Sequence, residues 1–248
     1  MATPHAWKER FGGIHEDLLQ IFGQRLQSLV AYQSHFDGLE TPPADATPAG
    51  GDDHAHAMAL VASLTYADLV ACAARVGEWS KAGVGTPLVL TGDEFARSLD
   101  AFPLEFSAMA AHHLLIAGTD PFTEARIDPA DVRRACETQA KSHLLHLREG
   151  FLEVRGEPET VARMIAASVP AFRTLLLTLA RLDDVHARSR EALARHASAM
   201  IGVPDALLDQ LLAIGRPEHV DRSDALRLYA AYLDAVERLA RVVDGWGR

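Results

Sequence analysis

The amphipathic helical pattern that fills residues 126–248 is the feature that most constrains the fold of this chain. Apolar residues recur there at helical spacing in five segments, and no stretch has the alternation of a strand. In the last segment, 223–243, residues such as Leu228, Tyr232 and Val236 fall on one side. Asp128-Pro129 supplies an N-cap followed by a proline in the first turn, and so marks the start of the first helix. This half is therefore predicted to be an antiparallel helical bundle.

Residues 1–125 have a different hydrophobic pattern, in which short apolar runs alternate with helical patterns. The pattern predicts helices over 5–23 and 66–82, a proline- and glycine-rich loop over 39–53, and strands over 26–32, 56–64, 87–90 and, more briefly, 112–117. Thr91-Gly-Asp-Glu94 has the form of a capping box and predicts a further helix to about residue 99. Strands that alternate with helices predict an α/β unit in which neighbouring strands are parallel.

Composition excludes several classes of protein. At 248 residues and 48% apolar composition the chain can bury a sizeable core, but no apolar run approaches the 18 residues expected of a transmembrane helix. The first residues, MATPHAWKERF, lack the apolar region of a signal peptide. Cys72 and Cys136 have neither CxxC nor zinc-site spacing. We therefore predict a cytoplasmic protein with reduced cysteines and no membrane partner.

The net charge of −10 is unevenly placed along the chain. Residues 1–125 contain 6 basic and 16 acidic residues, whereas residues 126–248 contain 18 of each. An acidic first half repels phosphate backbones, so nucleic acid is not an expected partner. Such a half would suit a site that collects Mg²⁺, and it would equally suit an acidic solvated surface.

The stretch LVAYQSHFDG, residues 29–38, passes from an apolar strand into a polar turn. This order of helix, strand, small polar turn, loop and second strand resembles the entry to the DNA-polymerase-β-like nucleotidyltransferase fold, in which a Gly-Ser turn follows the first strand. Ser34 matches the serine of that turn and Gly38 its closing glycine, while Gln33 and Asp37 replace a glycine and an arginine. The resemblance implies that Ser34, Gly38 and Gln33 lie where the family cradles phosphate.

The segment PLVLTGDEFARSLDAFPLEFSAMAAHHLLIAGTDPF, residues 87–122, strengthens this resemblance. It is similar to a segment of bacterial nucleotidyltransferase-like proteins, many of which have no assigned activity, and the similarity extends as a pattern over roughly residues 10–155. The resemblance implies an α+β fold, in which a nucleotidyltransferase-like α/β domain with a short mixed sheet (1–125) precedes an antiparallel helical bundle (126–248).

The catalytic carboxylates that the family requires do not have their usual spacing. Two carboxylates in Asp-x-Asp order lie on one face of a strand, where they hold two Mg²⁺ ions about 3.5–4 Å apart. Here Asp52 and Asp53 are adjacent, so on a strand they would point to opposite faces. The strand predicted at 87–90 contains no third carboxylate, and Gln33 has a side chain where a backbone must approach triphosphate closely. We therefore interpret the active-site motif as degenerate.

Three hypotheses about function follow. The first is a degenerate nucleotidyltransferase-fold protein that needs no cofactor and binds a small molecule, a nucleotide or a protein partner in the cleft between the two domains. The second is an active, Mg²⁺-dependent enzyme that transfers NMP from an NTP to a small acceptor, with Asp52, Asp53 and Glu105 as its metal ligands. The third is a helical-bundle interaction protein, for which a homodimer is one expected assembly.

Four further signals have both a functional and a structural interpretation. His54 and His56 are spaced to share a strand face and form a metal pair, or simply a polar strand entry. Glu105 lies among aromatic residues and predicts a structural ion pair. His143 and His146 lie on one side of a helix, which indicates a partly exposed face or a site facing the cleft. Arg190 and His196 loosely match the Arg-His spacing of helical HEPN ribonucleases, and chance explains that match as well.

Overall fold

The computed structural model describes residues 4–33, 55–215 and 217–246. The described residues divide into two compact units, one that ends at Asp128 and one that begins at Pro129. All the strands of the described residues lie in the first unit, and the second unit is helical.

The first unit consists of a small sheet and short helices. In chain order its elements are α1 (Pro4–Phe22), β1 (Leu26–Gln33), β2 (Ala55–Val61), α2 (Tyr66–Ala73), α3 (Val76–Lys81), β3 (Leu88–Thr91), α4 (Gly92–Ser98), α5 (Pro103–Ala111) and β4 (His113–Gly118). A single 3-10 turn, Gly23–Arg25, joins α1 to β1. The capping box predicted at the start of α4 is present, because Thr91 accepts the backbone N–H of Glu94 while the Glu94 carboxylate accepts the N–H of Thr91.

The four described strands form one mixed sheet in the order β3–β2–β1–β4. The central strand β1 is antiparallel to both β2 and β4, and only β2 and β3 are parallel. The prediction of parallel neighbours is therefore right for β2 and β3 and wrong for the other pairs. The segment between β1 and β2 contains no strong helical pattern to serve as a crossover, and parallel strands need such a connection.

Alternation along the strands gives the sheet two apolar faces. One face, with Leu29 and Ala31 of β1, packs against the buried residues of α1, which include Phe11 and Leu18. The opposite face carries Val30, Met58 and Leu60 and packs against Phe95 of α4 and Phe106 of α5. A sheet covered on both faces explains why its strands are almost continuously apolar.

In the first unit one predicted helix is wrong, one helix was not predicted, and one strand is shorter than expected. The helix predicted over 66–82 is two helices, α2 and α3, that are separated at Ala74 and Arg75. Helix α5 was not predicted, although Pro103 stands in its first turn, where proline is favoured. The strand predicted over 56–64 is shorter, because Thr65 with Asp68 forms a capping box for α2.

An ion pair between Arg25 and Asp68 connects the turn before β1 to α2. The Arg25 guanidinium donates to both carboxylate oxygens of Asp68 at 2.8 Å, and Asp68 also accepts the N–H and hydroxyl of Thr65. The Arg25 guanidinium lies 5.3 Å from the centre of the Phe22 ring. Hydrogen bonding from Arg25 holds the pKa of Asp68 well below its ordinary value.

The second unit contains five α-helices in the described residues. They are α6 (Pro129–Glu153), α7 (Pro158–Leu182), α8 (Arg190–Ile201), α9 (Asp205–Leu212) and α10 (Ala225–Gly245). Among the described helices, α7 is long and apolar enough to cross a membrane, but core helices of soluble proteins share this length and composition, and half of its apolar stretch is buried inside the protein. Its fully buried side chains include Val161, Ile165, Val169, Phe172 and Leu176.

Candidate functional site

The predicted phosphate-binding turn follows the end of β1. Gln33 is the last residue of β1 and pairs with Ala55, the first residue of β2. The other residues predicted for this site, Ser34, Gly38, Asp52, Asp53 and His54, lie outside the described residues, as does Asp37. The described part of the candidate site is therefore the edge of the sheet where β1 ends and where β2 and β4 begin.

A row of three polar rings crosses the sheet at this edge. Tyr32 of β1 pairs with His56 of β2 on one side and with His113 of β4 on the other. Residues directly opposite each other on neighbouring antiparallel strands have their side chains on the same face. The three rings therefore share the face that carries Val30 and Met58. Of these three residues, only His56 was predicted from the sequence as a candidate site residue.

The contacts of Tyr32 and His56 are closely defined. Their rings stack with centroids 5.6 Å apart and planes inclined by 28°. Both side chains are half-buried, and burial raises the pKa of the Tyr32 phenol, which therefore keeps its proton. The two rings thus present an aromatic surface and hydrogen-bonding atoms at the start of β2.

His113 is held by a clip that is formed by the last turn of α5 and by the turn that follows β4. Its Nε2 lies 3.1 Å from both carboxylate oxygens of Asp120, and its Nδ1 lies 3.2 Å from the carbonyl oxygens of Met109 and Ala110. Carbonyl and ionised carboxylate oxygens only accept, so both ring nitrogens are placed to donate. Burial alone would raise the pKa of Asp120, but hydrogen bonds from His113 and from the Phe122 N–H lower it.

The same clip explains the spacing of the segment that resembles nucleotidyltransferase-like proteins. Phe122 packs against the His113 ring at 4.7 Å and against Phe95 at 5.5 Å, so the chain returns to the start of β4. Gly118 makes this return with φ +80°, and a Cβ there would lie 2.1 Å from the backbone oxygen of Gln27. The pattern His-x4-Gly-x-Asp-Pro-Phe therefore encodes a local structure, and the spacing of His113 and Asp120 about a turn could have indicated it.

Carboxylates are absent from the described strands of this unit. None of β1, β2, β3 and β4 contains Asp or Glu, and β3 consists of Leu, Val, Leu and Thr. Within the described ranges, no group of three or more His, Cys, Asp or Glu side chains is arranged to hold a metal ion. Thr91, the last residue of β3, and Glu94, in the first turn of α4, together form the cap of that helix.

Glu105 does not have the environment that its aromatic neighbours predict. It lies in the first turn of α5 and is exposed, as is Phe102 one turn earlier. None of the described residues forms an ion pair with it, so the predicted structural ion pair is wrong. The reason is the helix that was not predicted, since α5 buries Phe106 and Pro103 and leaves Glu105 on the outer side.

The candidate residues of the second unit do not form a site with one another. His143 is buried and accepts or donates a 2.7 Å hydrogen bond with Tyr232, whereas His146 is exposed and lies 3.4 Å from Glu149. The prediction of a shared, partly exposed face is therefore wrong for His143. Arg190 pairs with Asp209 at 2.8 Å and His196 with Asp183 at 3.2 Å, so each of these side chains has its own carboxylate.

Comparison with solved structures identifies the fold. The chain superposes on the spectinomycin adenyltransferase of Enterococcus faecialis, whose crystal structure contains ATP and spectinomycin, with a TM-score of 0.51. The match covers 93% of this chain and 98% of that one at 11% sequence identity. The chain has a nucleotidyltransferase fold. No protein-family model and no curated protein sequence matches it.

The nucleotidyltransferase fold confirms the α+β class and the resemblance inferred from the sequence. That inference depended on the order of α1, β1 and β2 and on segment 87–122, which contains β3 and β4. At 11% identity the superposition concerns backbone architecture alone, so the chemistry of this nucleotidyltransferase-fold protein depends on its own residues.

Proposed function

We propose that this chain is a catalytically degenerate nucleotidyltransferase-fold protein that binds a nucleotide or another anionic small molecule without transferring a group. In this proposal a nucleotidyltransferase-like domain of residues 1–125 precedes a helical bundle domain of residues 126–248, and the protein works in the cytoplasm. The observation that carries the proposal is that none of the four described strands contains a carboxylate. A nucleotide-binding fold without acidic strands favours binding over metal-dependent transfer.

The physical reason lies in how this class of reaction is catalysed. Phosphoryl and nucleotidyl transfer gains most of its rate from metal ions that neutralise charge on the transferred group. Mg²⁺ prefers oxygen ligands, usually one or two carboxylates in addition to the substrate phosphates. At the sheet edge the strands themselves contribute two imidazoles and a phenol, from His56, His113 and Tyr32, and the Asp120 carboxylate beside them is paired with His113. We therefore include no metal cofactor in the proposal.

The same groups suit a ligand of particular chemistry. Stacked, half-buried rings such as Tyr32 and His56 offer an aromatic surface to a base or another planar group. Ser34 and Gly38, which follow β1, are candidates to donate hydrogen bonds to phosphate, and Gln33 is a third. Because β1 and β2 contribute no negative charge, an anionic ligand would meet no carboxylate of these strands.

An active enzyme is the second candidate function. It is favoured by the superposition over 93% of this chain on an adenyltransferase solved with ATP and spectinomycin. In that case Asp52 and Asp53, with Glu105, would have to supply the ligands for Mg²⁺, and His54 with His56 would be weaker candidates for a different metal. The substrate would be an NTP and the acceptor a small molecule.

An ATP titration followed by calorimetry and by thermal unfolding, with Mg²⁺ or with EDTA, separates the two functions. The degenerate protein is expected to bind ATP with the same Kd in both buffers, and its melting temperature should rise with ATP concentration as binding linkage requires. Pyrophosphate release would be measured in the same samples with a panel of amino-alcohol and aminocyclitol acceptors. Release that requires both Mg²⁺ and an acceptor would contradict the proposal and establish the enzyme.

Substitution of the acidic pair provides a second test. The double variant Asp52→Asn with Asp53→Asn should leave ATP binding unchanged if the site is degenerate, whereas an enzyme would lose Mg²⁺-dependent ATP binding and transfer. Asp93→Asn is the matched control, because Asp93 is an exposed residue of α4. The Kd for ATP of the variant His56→Gln, compared with that of His146→Gln on the bundle, tests whether the ligand binds at the sheet edge.

Assembly through the bundle is the third candidate. Leu145 and Leu152 are 56% and 74% exposed and lie two turns apart on α6, a spacing that favours helix-to-helix contact with another molecule. Light scattering with a coupled size-exclusion column would give the mass in solution. Assembly would be supported if the protein is a homodimer and the Leu152→Ser variant is a monomer. A wild-type protein that is a monomer at all concentrations would rule out this third candidate.

A further inference from the structure

A buried polar cluster joins three helices of the second unit. The His143 Nε2 atom lies 2.7 Å from the Tyr232 hydroxyl, which in turn lies 3.3 Å from the hydroxyl of Ser168. Ser168 donates to the carbonyl oxygen of Ile165 at 2.9 Å. These contacts link α6, α10 and α7, which are also the central helices of the bundle.

Aromatic packing closes this cluster to solvent. Phe172 stacks against His143 with centroids 6.0 Å apart, and it meets Tyr232 edge-on at 5.2 Å. Tyr232 and Phe172 are fully buried, and His143 is 7% exposed. An imidazole in such a place is stable when neutral, because a charged ring would lose its hydration without gaining a counter-ion.

The groups that face His143 provide no counter-charge. From α10 it meets the hydroxyl of Tyr232, and from α7 it meets Phe172 and the Ser168–Tyr232 hydrogen bond. On its own helix the nearby titratable group is His146, which is itself basic and so opposes a second positive charge. In the described part of the chain no carboxylate contacts the His143 ring. Burial, together with His146, lowers the pKa of His143 to about 4.

We propose that His143, Tyr232 and Ser168 form an acid-sensitive latch that holds α6, α7 and α10 together and releases the bundle when His143 takes up a proton. At neutral pH the neutral ring keeps the hydrogen bond to Tyr232 inside an apolar core. As the pH falls, the unfolded state of the bundle takes up a proton on this histidine before the folded state does. The bundle therefore loosens in acid, independently of any ligand at the sheet edge.

The direction and size of the effect follow from linkage. An ordinary histidine pKa of 6.5 and a folded value of about 4 place the loss of stability between these two values. The contribution of neutral His143 to folding stability is fully present above pH 6.5 and declines as the pH falls toward about 4. The unfolding equilibrium constant should rise roughly a hundredfold across this range through this one group.

The proposal is tested by titration of the histidines by NMR, with urea unfolding measured from pH 7 to pH 4. The His143 Cε1–H signal should titrate well below the ordinary histidine value of 6.5. The variant His143→Gln, whose amide can reach Tyr232 but takes up no proton, should lose much less stability in acid than the wild type. The matched control His146→Gln, on the same helix but 75% exposed, should retain the wild-type pH dependence.

Two results would overturn the latch. One is a His143 signal that titrates at the ordinary value, and the other is a His143→Gln variant with the pH dependence of the wild type. If His143→Gln does not fold, Tyr232→Phe keeps the buried ring and removes the hydroxyl. This variant should have a lower Tm at pH 7 and faster amide exchange in α6, α7 and α10, and an unchanged Tm would reject the hydrogen bond as a latch.

Discussion

Arg25 and Asp68 form a two-pronged ion pair in which two guanidinium nitrogens lie 2.8 Å from the two carboxylate oxygens. The pair connects the turn before β1 with the first turn of α2, across 43 residues of sequence. Asp68 is almost fully buried, so its charge depends on Arg25 and on the two hydrogen bonds from Thr65.

We expect Asp68→Asn to lower the Tm clearly, because it leaves the Arg25 guanidinium without its bidentate partner. The pKa of Asp68 is depressed from its ordinary value of 3.8, so the stability from this carboxylate is complete above about that pH and is lost as the pH falls further. Thermal unfolding at pH 7 and pH 3 measures both effects, and the variant should differ less from the wild type at pH 3.

The exposed pair Lys81–Glu78 provides the control for this prediction. Its charges lie 2.8 Å apart, but both side chains are at least 70% exposed. Glu78→Gln should change the Tm very little, because a solvated ion pair contributes little to stability. An equal loss in the two variants would show that burial and the bidentate geometry of Asp68 have no special role.

Gly118→Ala should destabilise the first unit strongly. Gly118 has φ +80°, and the new Cβ would stand 2.1 Å from the Gln27 oxygen and 2.8 Å from its carbonyl carbon, so the backbone must shift. We expect a loss of more than about 2 kcal/mol in the free energy of unfolding, measured in urea. Gly77→Ala in α3 is the matched substitution, since its Cβ meets nothing within 4 Å, and it should stabilise by about 0.4–1 kcal/mol.

Asp120→Asn tests the clip around His113. The amide oxygen can still accept the Phe122 N–H, but the carboxylate that pairs with His113 Nε2 is lost. We expect a lower Tm at pH 7, an effect that fades below the ordinary carboxyl pKa of 3.8, because the lowered pKa of Asp120 stabilises the fold only where the carboxylate is ionised. Thermal unfolding at pH 7 and at a pH below 3.8 measures this effect. A variant whose Tm equals that of the wild type under both conditions would contradict the clip.

Phe172→Ala should cost about 3–5 kcal/mol of unfolding free energy, because it removes a fully buried ring from the centre of the bundle. Phe102→Ala removes the same side chain from a position that is 55% exposed, and should change stability by less than about 0.5 kcal/mol. Urea unfolding of the two variants gives both values. If the two losses are equal, α7 is not the core helix of the bundle.

Local signals in the sequence were sufficient for several features of the fold. The capping box of Thr91 and Glu94 is encoded within four residues, and the bundle helices follow from apolar periodicity. The antiparallel pairing of β1 with β4 joins residues that are far apart in the chain, such as Tyr32 and His113, so no local pattern contains it. The burial of His143 was missed for a similar reason, since its partner Tyr232 is 89 residues away.

The candidate site was predicted less well than the fold. The first strand was predicted to end at Tyr32 and ends one residue later, at Gln33, while the rest of the predicted turn lies outside the described residues. The ring row of His56, Tyr32 and His113 depends on the register of three strands, and a single-residue slip would remove it. Asp120 was missed because its role depends on a turn that returns to His113, and Glu105 was misjudged because α5 was not recognised.

The order β3–β2–β1–β4 leaves β3 and β4 as the outer strands among those described. They are four and six residues long, respectively, and the longer strands β1 and β2 are paired on both sides. Outer strands this short present few unpaired N–H and C=O groups to another chain. The sheet is thus a poor template for growth by added strands, which favours a domain that remains dispersed when it is concentrated or transiently opened.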